Sequence, residues 1–325
     1  MAQVQERKMI DQVSGWLTLF DDGSADRTWA GPPEVKFMTD AVPPHPNFID
    51  GVATADVTPT DCPKLRIYLP KRHEADPEKL PVLLHFHGGG FCISEPDWLM
   101  YYAVYTRLAR ECRAVVVSPY LRLAPEHRLP TAFDDGAAAL RWVAAGGAGA
   151  GADSGRIFLI GDSSGGNIVH QVAVTAAAEG IPVAGAIPVH PGFCRSGRSR
   201  SEIENQETPF LTLDMMDKFL ALALPEGATK DHPYTCPMGT AATLPELAPY
   251  LYCLAEEDLM WDTEIEFYEE MKGAGKEVEL FVSRGVGHSF YLNKIAVEMD
   301  PVTAAQTAEL FRRIKEFVNK HSVSV

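Results

Sequence analysis

The chain has 325 residues, of which 46% are hydrophobic and 22% charged, and this composition excludes a wholly disordered or collagen-like protein. Acidic residues outnumber lysine and arginine by 44 to 29, so the formal net charge of −15 would repel nucleic-acid phosphates and anionic bilayers. We see neither a signal-peptide core nor a run of 18 apolar residues. We therefore expect a protein of the cytoplasm, or of cytoplasm and nucleus, that binds neither nucleic acid nor membranes.

Two segments of the chain interrupt the alternation of predicted strands and helices, and we expect them to form a cap. The first, at about 1–45, combines an amphipathic stretch between Ile10 and Phe20 with a proline-rich run. The second, at about 193–235, has a polar loop followed by a predicted helix at 213–224. Such additions commonly cover the strand ends where pockets form in open α/β sheets, although ordinary peripheral packing is the alternative.

From about residue 64 onward, short apolar runs alternate with longer amphipathic stretches. This alternation is typical of a mostly parallel sheet flanked by helices, so it predicts the α/β fold class, and we expect a single domain over 1–325. The runs predict strands at 65–69, 81–86, 114–119, 157–160, 184–189, 250–254 and 278–282. The amphipathic stretches predict helices at 98–110, 131–144, 166–179, 262–274 and 303–320.

The pattern of cysteine, histidine and glycine residues gives no sign of a cofactor or a bound metal. The glycine-rich run at 146–152 follows a helix and precedes a strand, which is the reverse of the order that a dinucleotide site needs. His85 and His87 have no third metal ligand at a suitable spacing. We expect the six scattered cysteines to be reduced: Cys62, Cys92, Cys112, Cys194, Cys236 and Cys253.

The most informative motif is G-x-S-x-G at 161–165, directly between a predicted strand and a predicted helix. A sharp turn in this place exposes the Ser163 hydroxyl at the positive end of a helix, and only glycine leaves room for the neighbouring backbone. The motif indicates a nucleophilic serine. The alternative is a plain turn with a helix-capping serine.

A serine nucleophile needs a base and an orienting acid, which follow it in the order acid, then histidine, in this architecture. His288 comes after the strand predicted at 278–282, and Asp258 comes after the one at 250–254. We therefore expect both at the sheet edge where Ser163 emerges. Glu257 and Asp262 are alternative acids, and a surface-loop histidine is the alternative for His288.

The loop at 88–90 holds three successive glycines after a strand. Their backbone N–H groups can turn towards the oxyanion of a tetrahedral intermediate, and the amide of Ser164 can complete the set. Gly88, Gly89, Gly90 and Ser164 are therefore the predicted oxyanion hole. The alternative is a loop that is simply flexible.

The motifs at 87–91, 122–130, 161–167 and 287–291 occur in an order that resembles the hormone-sensitive-lipase-like branch of the α/β-hydrolases. The chain is most similar there to the plant carboxylesterases, including the tobacco esterases of the hypersensitive defence response. This resemblance implies an α/β-hydrolase fold, a Ser163–His288–Asp258 triad and hydrolysis of small or medium apolar esters through an acyl-enzyme.

The same family contains gibberellin receptors, which lack the catalytic histidine. Because this chain has His288, the resemblance favours an enzyme. A small-molecule hormone receptor and a hydrolase of strigolactone-like hormone esters are the alternatives. We expect a largely apolar substrate pocket under the cap, lined by Phe91, Cys92, Ile93, Phe193, Phe210, Leu211, Phe219 and Tyr291.

Overall fold

The computed structural model describes residues 7–322. The strands are β1 (Met9–Val13), β2 (Leu17–Phe20), β3 (Ala25–Asp26), β4 (Val52–Val57), β5 (Leu65–Pro70), β6 (Leu80–Phe86), β7 (Val115–Pro119), β8 (Ala152–Asp162), β9 (Gly185–Val189), β10 (Tyr250–Ala255) and β11 (Val278–Ser283). The α-helices are α1 (Leu99–Cys112), α2 (Thr131–Ala144), α3 (Ser164–Glu179), α4 (Arg200–Glu204), α5 (Leu213–Ala223), α6 (Trp261–Gly273), α7 (Lys294–Met299) and α8 (Pro301–His321).

Eight strands form the central sheet in the order β11-β10-β9-β8-β6-β7-β5-β4. The six strands from β11 to β7 are parallel, whereas β5 and β4 are antiparallel additions at one edge. Every residue of β6, β7 and β10 is buried, because helices cover both faces of the sheet. The predicted α/β class is therefore confirmed.

Each of the seven predicted strands and five predicted helices of the alternating region overlaps an observed element. The main difference is β8, which begins at Ala152 rather than at 157 because its first residue pairs with Leu80 of β6. The edge strand β4 was not predicted. Within the central sheet it pairs only with β5, and its second half is partly exposed, so it lacks the continuous apolar run of a central strand.

The N-terminal amphipathic stretch forms a small antiparallel sheet of β1, β2 and β3. Trp16, in the turn between β1 and β2, is buried, whereas Ile10 is 63% exposed. This sheet contacts α5, where the Nζ atom of Lys218 lies 2.8 Å from Oδ1 of Asp11. The two segments that interrupt the predicted pattern therefore lie against each other at one end of the molecule.

The six cysteines are unpaired, and four of them are buried.

Among the helices of residues 7–322, we find none whose length and apolar character would let it cross a membrane.

Candidate active site

Ser163 occupies a strained turn between the end of β8 and the start of α3. Its φ and ψ of 53° and −125° lie in a region that side-chain-bearing residues rarely adopt. Two residues to either side of the serine, the turn has room only for glycine: a Cβ atom on Gly161 would lie 2.5 Å from the carbonyl oxygen of Gly165, and one on Gly165 would lie 2.1 Å from that of Phe86. These contacts account for both glycines of the motif.

His288 and Asp258 form a buried pair at the carboxyl ends of two adjacent strands. The Nδ1–H group of His288 donates a hydrogen bond of 2.6 Å to Oδ2 of Asp258, and the backbone N–H of Met260 donates one of 3.0 Å to Oδ1. Burial by itself would raise the pKa of Asp258, but the charge and hydrogen bond of His288 outweigh it and hold this pKa below its usual value. The carboxylate is therefore ionised at neutral pH.

The two alternative acids have other surroundings. Glu257 is exposed, and Asp262 lies in the first turn of α6, where its Oδ2 accepts a hydrogen bond of 2.7 Å from the backbone N–H of Ser201. The geometry of the pair therefore favours Asp258 over both of them.

Ser163 and His288 line the same cavity. Within residues 7–322, the structure has no hydrogen bond between the Ser163 hydroxyl and the imidazole. Hydrogen bonds of this kind are commonly long in hydrolases without a bound substrate and shorten when one binds. The structure thus brings the predicted base into direct contact with the predicted acid, and the predicted nucleophile to the wall of the same cavity.

A third histidine beside the pair was missed by the sequence analysis. His190 directly follows β9, and its Nδ1 accepts a hydrogen bond of 3.0 Å from the backbone N–H of Ser289. A ring nitrogen of His190, one of His288 and a carboxylate oxygen of Asp258 all lie within 4.8 Å of one another. Burial lowers the pKa of His190 to about 3, so its ring is neutral. Its position after a buried strand was the signal that could have found it.

The three glycines at 88–90 lie beside Ser163. A Cβ atom on Gly88 would lie 3.0 Å from Cβ of Ser163, and one on Gly90 would lie 2.6 Å from the ring of Phe219. Gly89 and Gly90 have φ values of +104° and +59°, which favour glycine. The Ser164 hydroxyl accepts a hydrogen bond of 3.2 Å from the N–H of Phe91, the residue after the loop. Of the four residues of the expected oxyanion hole, Gly88 therefore lies against Ser163, and Gly89, Gly90 and Ser164 line the same cavity as the serine.

The cavity over Ser163 has a mostly apolar wall. Five of the eight expected lining residues belong to the wall: Phe91, Ile93, Phe210, Leu211 and Phe219. The other three do not: Cys92, Phe193 and Tyr291.

The three exceptions point elsewhere because they pack into the protein interior. The Sγ atom of Cys92 is directed at the carbonyl oxygen of Phe219, and Phe193 packs against Phe267, with ring centroids 5.2 Å apart. Tyr291 contacts His190 and Phe311. The expectation that these residues line the pocket is wrong, since the contacts of their side chains lie in the protein interior.

The cavity wall also contains apolar residues that the sequence analysis did not assign to it. They come from the N-terminal hairpin, from α1, from α5 and from the loop before α6, and include Trp16, Met100, Met215, Met216, Leu220 and Met260. Trp16 packs against Trp29 and Phe210, with ring centroids 4.5 and 6.3 Å apart. Nothing in the spacing of these residues in the sequence indicates a shared surface, because they meet only in the folded chain.

Comparisons with known proteins agree with this architecture. Residues 83–292 match a family model described as the alpha/beta hydrolase fold. A probable carboxylesterase of Arabidopsis thaliana is 31% identical over 96% of this chain and 92% of its own, and a gibberellin receptor of the same plant is 36% identical over 89% of both chains. The crystal structure of an esterase from Pyrobaculum calidifontis superposes with a TM-score of 0.71 at 28% identity, covering 84% of this chain and 86% of that one.

The family resemblance drawn from the four motifs is thereby confirmed. Relatives aligned over nearly their whole length include both carboxylesterases and gibberellin receptors. The chain therefore belongs to the α/β-hydrolase family and, within it, to the hormone-sensitive-lipase-like group that contains the plant carboxylesterases.

Proposed function

We propose that the protein is a serine carboxylesterase. The observation that carries this proposal is the buried hydrogen bond of 2.6 Å between His288 and Asp258, at the cavity that also exposes Ser163. An ionised aspartate that holds the Nδ1 proton of an imidazole leaves Nε2 free to accept a proton. A strained serine with three glycines beside it is the group that such a base activates.

In the proposed reaction, the Ser163 oxygen bonds to the ester carbonyl carbon as His288 takes the hydroxyl proton. The tetrahedral intermediate then collapses, and His288 passes that proton to the departing alcohol oxygen, which leaves Ser163 acylated. A water molecule next loses a proton to His288 and attacks the acyl carbon. The carboxylic acid departs, and the proton returns to Ser163.

Backbone N–H groups of Gly89, Gly90 and Ser164 are the proposed donors to the oxyanion. Each such donor typically contributes ~10²–10³ in rate. The N–H of Gly88 is already used, because it donates to the hydroxyl of Tyr101 at 2.9 Å. Gly88 is therefore proposed to provide space beside Ser163 rather than a donor.

The cavity supports an uncharged, mainly apolar ester as the substrate. Its wall, among the described residues, contains neither lysine nor arginine, so a carboxylate or phosphate on the substrate would lose its hydration without gaining a cation. Esters of small or medium, uncharged acyl and alcohol groups satisfy this constraint.

The segments at about 1–45 and 193–235 are proposed to cap this site and to determine substrate size. Trp16 from the first and Met215, Met216 and Phe219 from the second contribute to the cavity wall. The ion pair of Lys218 with Asp11 joins the two segments. We propose that the whole chain is one domain that carries this cap.

A hormone receptor is the second candidate, favoured by the 36% identity with a gibberellin receptor and by the N-terminal segment that borders the cavity. The His288–Asp258 pair favours the esterase, since a site that only binds a ligand has no need of a buried base held by an ionised acid. A hydrolase of hormone esters would use the same residues and differ only in its substrate.

The test is hydrolysis of p-nitrophenyl butyrate together with labelling by a serine-directed organophosphate. We expect turnover and one covalent label at Ser163, both lost in Ser163→Ala. The matched control is Ser154→Ala, since Ser154 lies in the same strand as Asp162 but at its far, half-exposed end. A well-folded wild-type protein that neither hydrolyses the ester nor takes the label would contradict the proposal and favour the receptor.

A further inference from the structure

Both backbone polar atoms of Gly88 are held by buried side chains. Its N–H donates a hydrogen bond of 2.9 Å to the hydroxyl oxygen of Tyr101, and its carbonyl oxygen lies 2.9 Å from Nδ1 of His87. Because a carbonyl oxygen only accepts hydrogen bonds, Nδ1 must carry the proton. Burial lowers the pKa of His87 to about 4, so the ring stays neutral and keeps this arrangement at neutral pH.

The Tyr101 hydroxyl also reaches the strand that carries the serine. It donates a hydrogen bond of 2.9 Å to Oδ2 of Asp162, the last residue of β8 and the neighbour of Ser163. A hydroxyl has one proton to donate and lone pairs to accept with, so both contacts can form at once. Tyr101 and Asp162 are each 1% exposed, which shields this connection from solvent.

These contacts join the glycine loop at 88–90 to the turn that carries Ser163, and the distance between the two matters for the proposed chemistry. A Cβ atom on Gly88 would lie 2.6 Å from Oδ2 of Asp162 and 3.0 Å from Cβ of Ser163, so the loop and the serine turn are in close contact. Tyr101 comes from a third element, α1, which belongs to neither segment. Its hydroxyl is thus a bridge between the glycine loop and the strand end.

Gly88 immediately precedes the proposed oxyanion donors of Gly89 and Gly90. If the backbone at Gly88 shifted, the two following N–H groups would move away from the position of the oxyanion. A misplacement of ~1 Å in an active site can lower the rate about 10²-fold. A side chain that holds the Gly88 backbone would therefore affect turnover without touching the substrate's reacting atoms.

We propose that Tyr101 is a positioning residue that aligns the oxyanion loop with Ser163 by bridging Gly88 and Asp162. This inference rests on the proposed esterase function. It assigns Asp162 the role of acceptor that orients the Tyr101 hydroxyl, so that the hydroxyl lone pairs face the Gly88 N–H.

The test compares Tyr101→Phe with Tyr105→Phe. Tyr105 lies one turn later on α1, with its ring centroid 5.6 Å from that of Tyr101, and is equally buried, but its hydroxyl accepts from Oγ of Ser118. Each variant loses one buried hydroxyl from the same helix. We expect Tyr101→Phe to lower kcat for p-nitrophenyl butyrate about 10- to 100-fold with KM within about twofold, and Tyr105→Phe to change neither.

An aryl trifluoromethyl ketone separates positioning from a general loss of stability. It adds to the serine and places an oxyanion in the hole, as the transition state does, so its inhibition constant should rise in Tyr101→Phe by the same factor as kcat/KM falls. Equal kcat/KM and equal inhibition in the two phenylalanine variants would overturn the proposal, while leaving the esterase function intact. A wild-type protein that fails to hydrolyse esters would overturn both.

Asp162→Ala provides a second variant. It removes the acceptor of the Tyr101 proton, so the hydroxyl can turn that proton towards the Gly88 N–H, and we expect kcat to fall at least about tenfold with KM within about twofold. A kcat within about twofold of wild type in Asp162→Ala would overturn the proposal, including in the event that Tyr101→Phe is recovered unfolded.

Discussion

Replacement of Asp258 by asparagine should abolish most ester hydrolysis while leaving the fold intact. The Asp258 carboxylate accepts two hydrogen bonds, one from the Met260 N–H at Oδ1 and one from His288 at Oδ2. An asparagine has only one accepting oxygen. If that oxygen faces Met260, its NH₂ group faces Nδ1 of His288, which must then carry no proton. The ring proton moves to Nε2, where it blocks proton transfer from Ser163.

The opposite orientation of the amide is available at a cost. It would direct the NH₂ group at the Met260 N–H, and two facing donors in a buried site cost about 1–3 kcal/mol. This orientation would restore the correct histidine tautomer in only about one molecule in six to one in 160. The variant has in addition lost the charge that stabilises the imidazolium form of His288. We expect kcat to fall about 10³–10⁴-fold, as in serine proteases with the equivalent change.

The assay is the steady-state hydrolysis of p-nitrophenyl butyrate, with circular dichroism to check the fold. The controls are Asp262→Asn and Glu257→Gln, which change the two carboxylates that the sequence offered as alternative acids. Both should stay within about threefold of wild type, because neither carboxylate contacts the His288–Asp258 pair. Loss of activity in a control, with Asp258→Asn still within tenfold of wild type, would refute the assignment of the acid.

Two further predictions concern stability. Burial raises the pKa of Asp162 to about 7, so between about pH 4 and pH 7 the folded state retains a proton that the unfolded chain has released. The free energy of unfolding should therefore fall as the pH rises through this range, by up to about 4 kcal/mol, and urea titrations should show a flatter profile in Asp162→Asn. In Gly165→Ala, the new Cβ would lie 2.1 Å from the Phe86 carbonyl oxygen, which should cost about 3 kcal/mol or more. Thermal melts should show this loss but no loss in Gly273→Ala, where the added atom meets open space; an undiminished Tm in Gly165→Ala would contradict the steric argument.

The N-terminal hairpin shows where prediction from sequence reached its limit. The apolar residues between Ile10 and Phe20 indicated an amphipathic stretch, but whether it would bury Trp16 depended on partners far along the chain. The ring of Trp16 packs against Trp98 and Phe210, more than 80 and 190 residues away. Short-range periodicity contains no information about such contacts.

The reactive groups were more predictable because topology places them. Ser163, Asp258 and His288 each follow one of the parallel strands of the central sheet, and carboxyl ends of parallel strands share an edge. His190 follows β9 at the same edge, and the same reasoning would have found it. Tyr101 follows no strand, since it lies on a helix that packs beside the loop, and no pattern marked it.

The sequence by itself determined the α/β architecture, the place of the strained serine and the edge at which the acid and the base meet. These features depend on continuous apolar runs and on glycines, whose physical effects are local. Tertiary structure alone decided which of several nearby carboxylates contacts His288, which aromatic side chains face the cavity and how a tyrosine on α1 joins the glycine loop to the serine strand. Side-chain direction at each of these positions is set by packing between segments distant in the chain, and such packing exists only once the chain has folded.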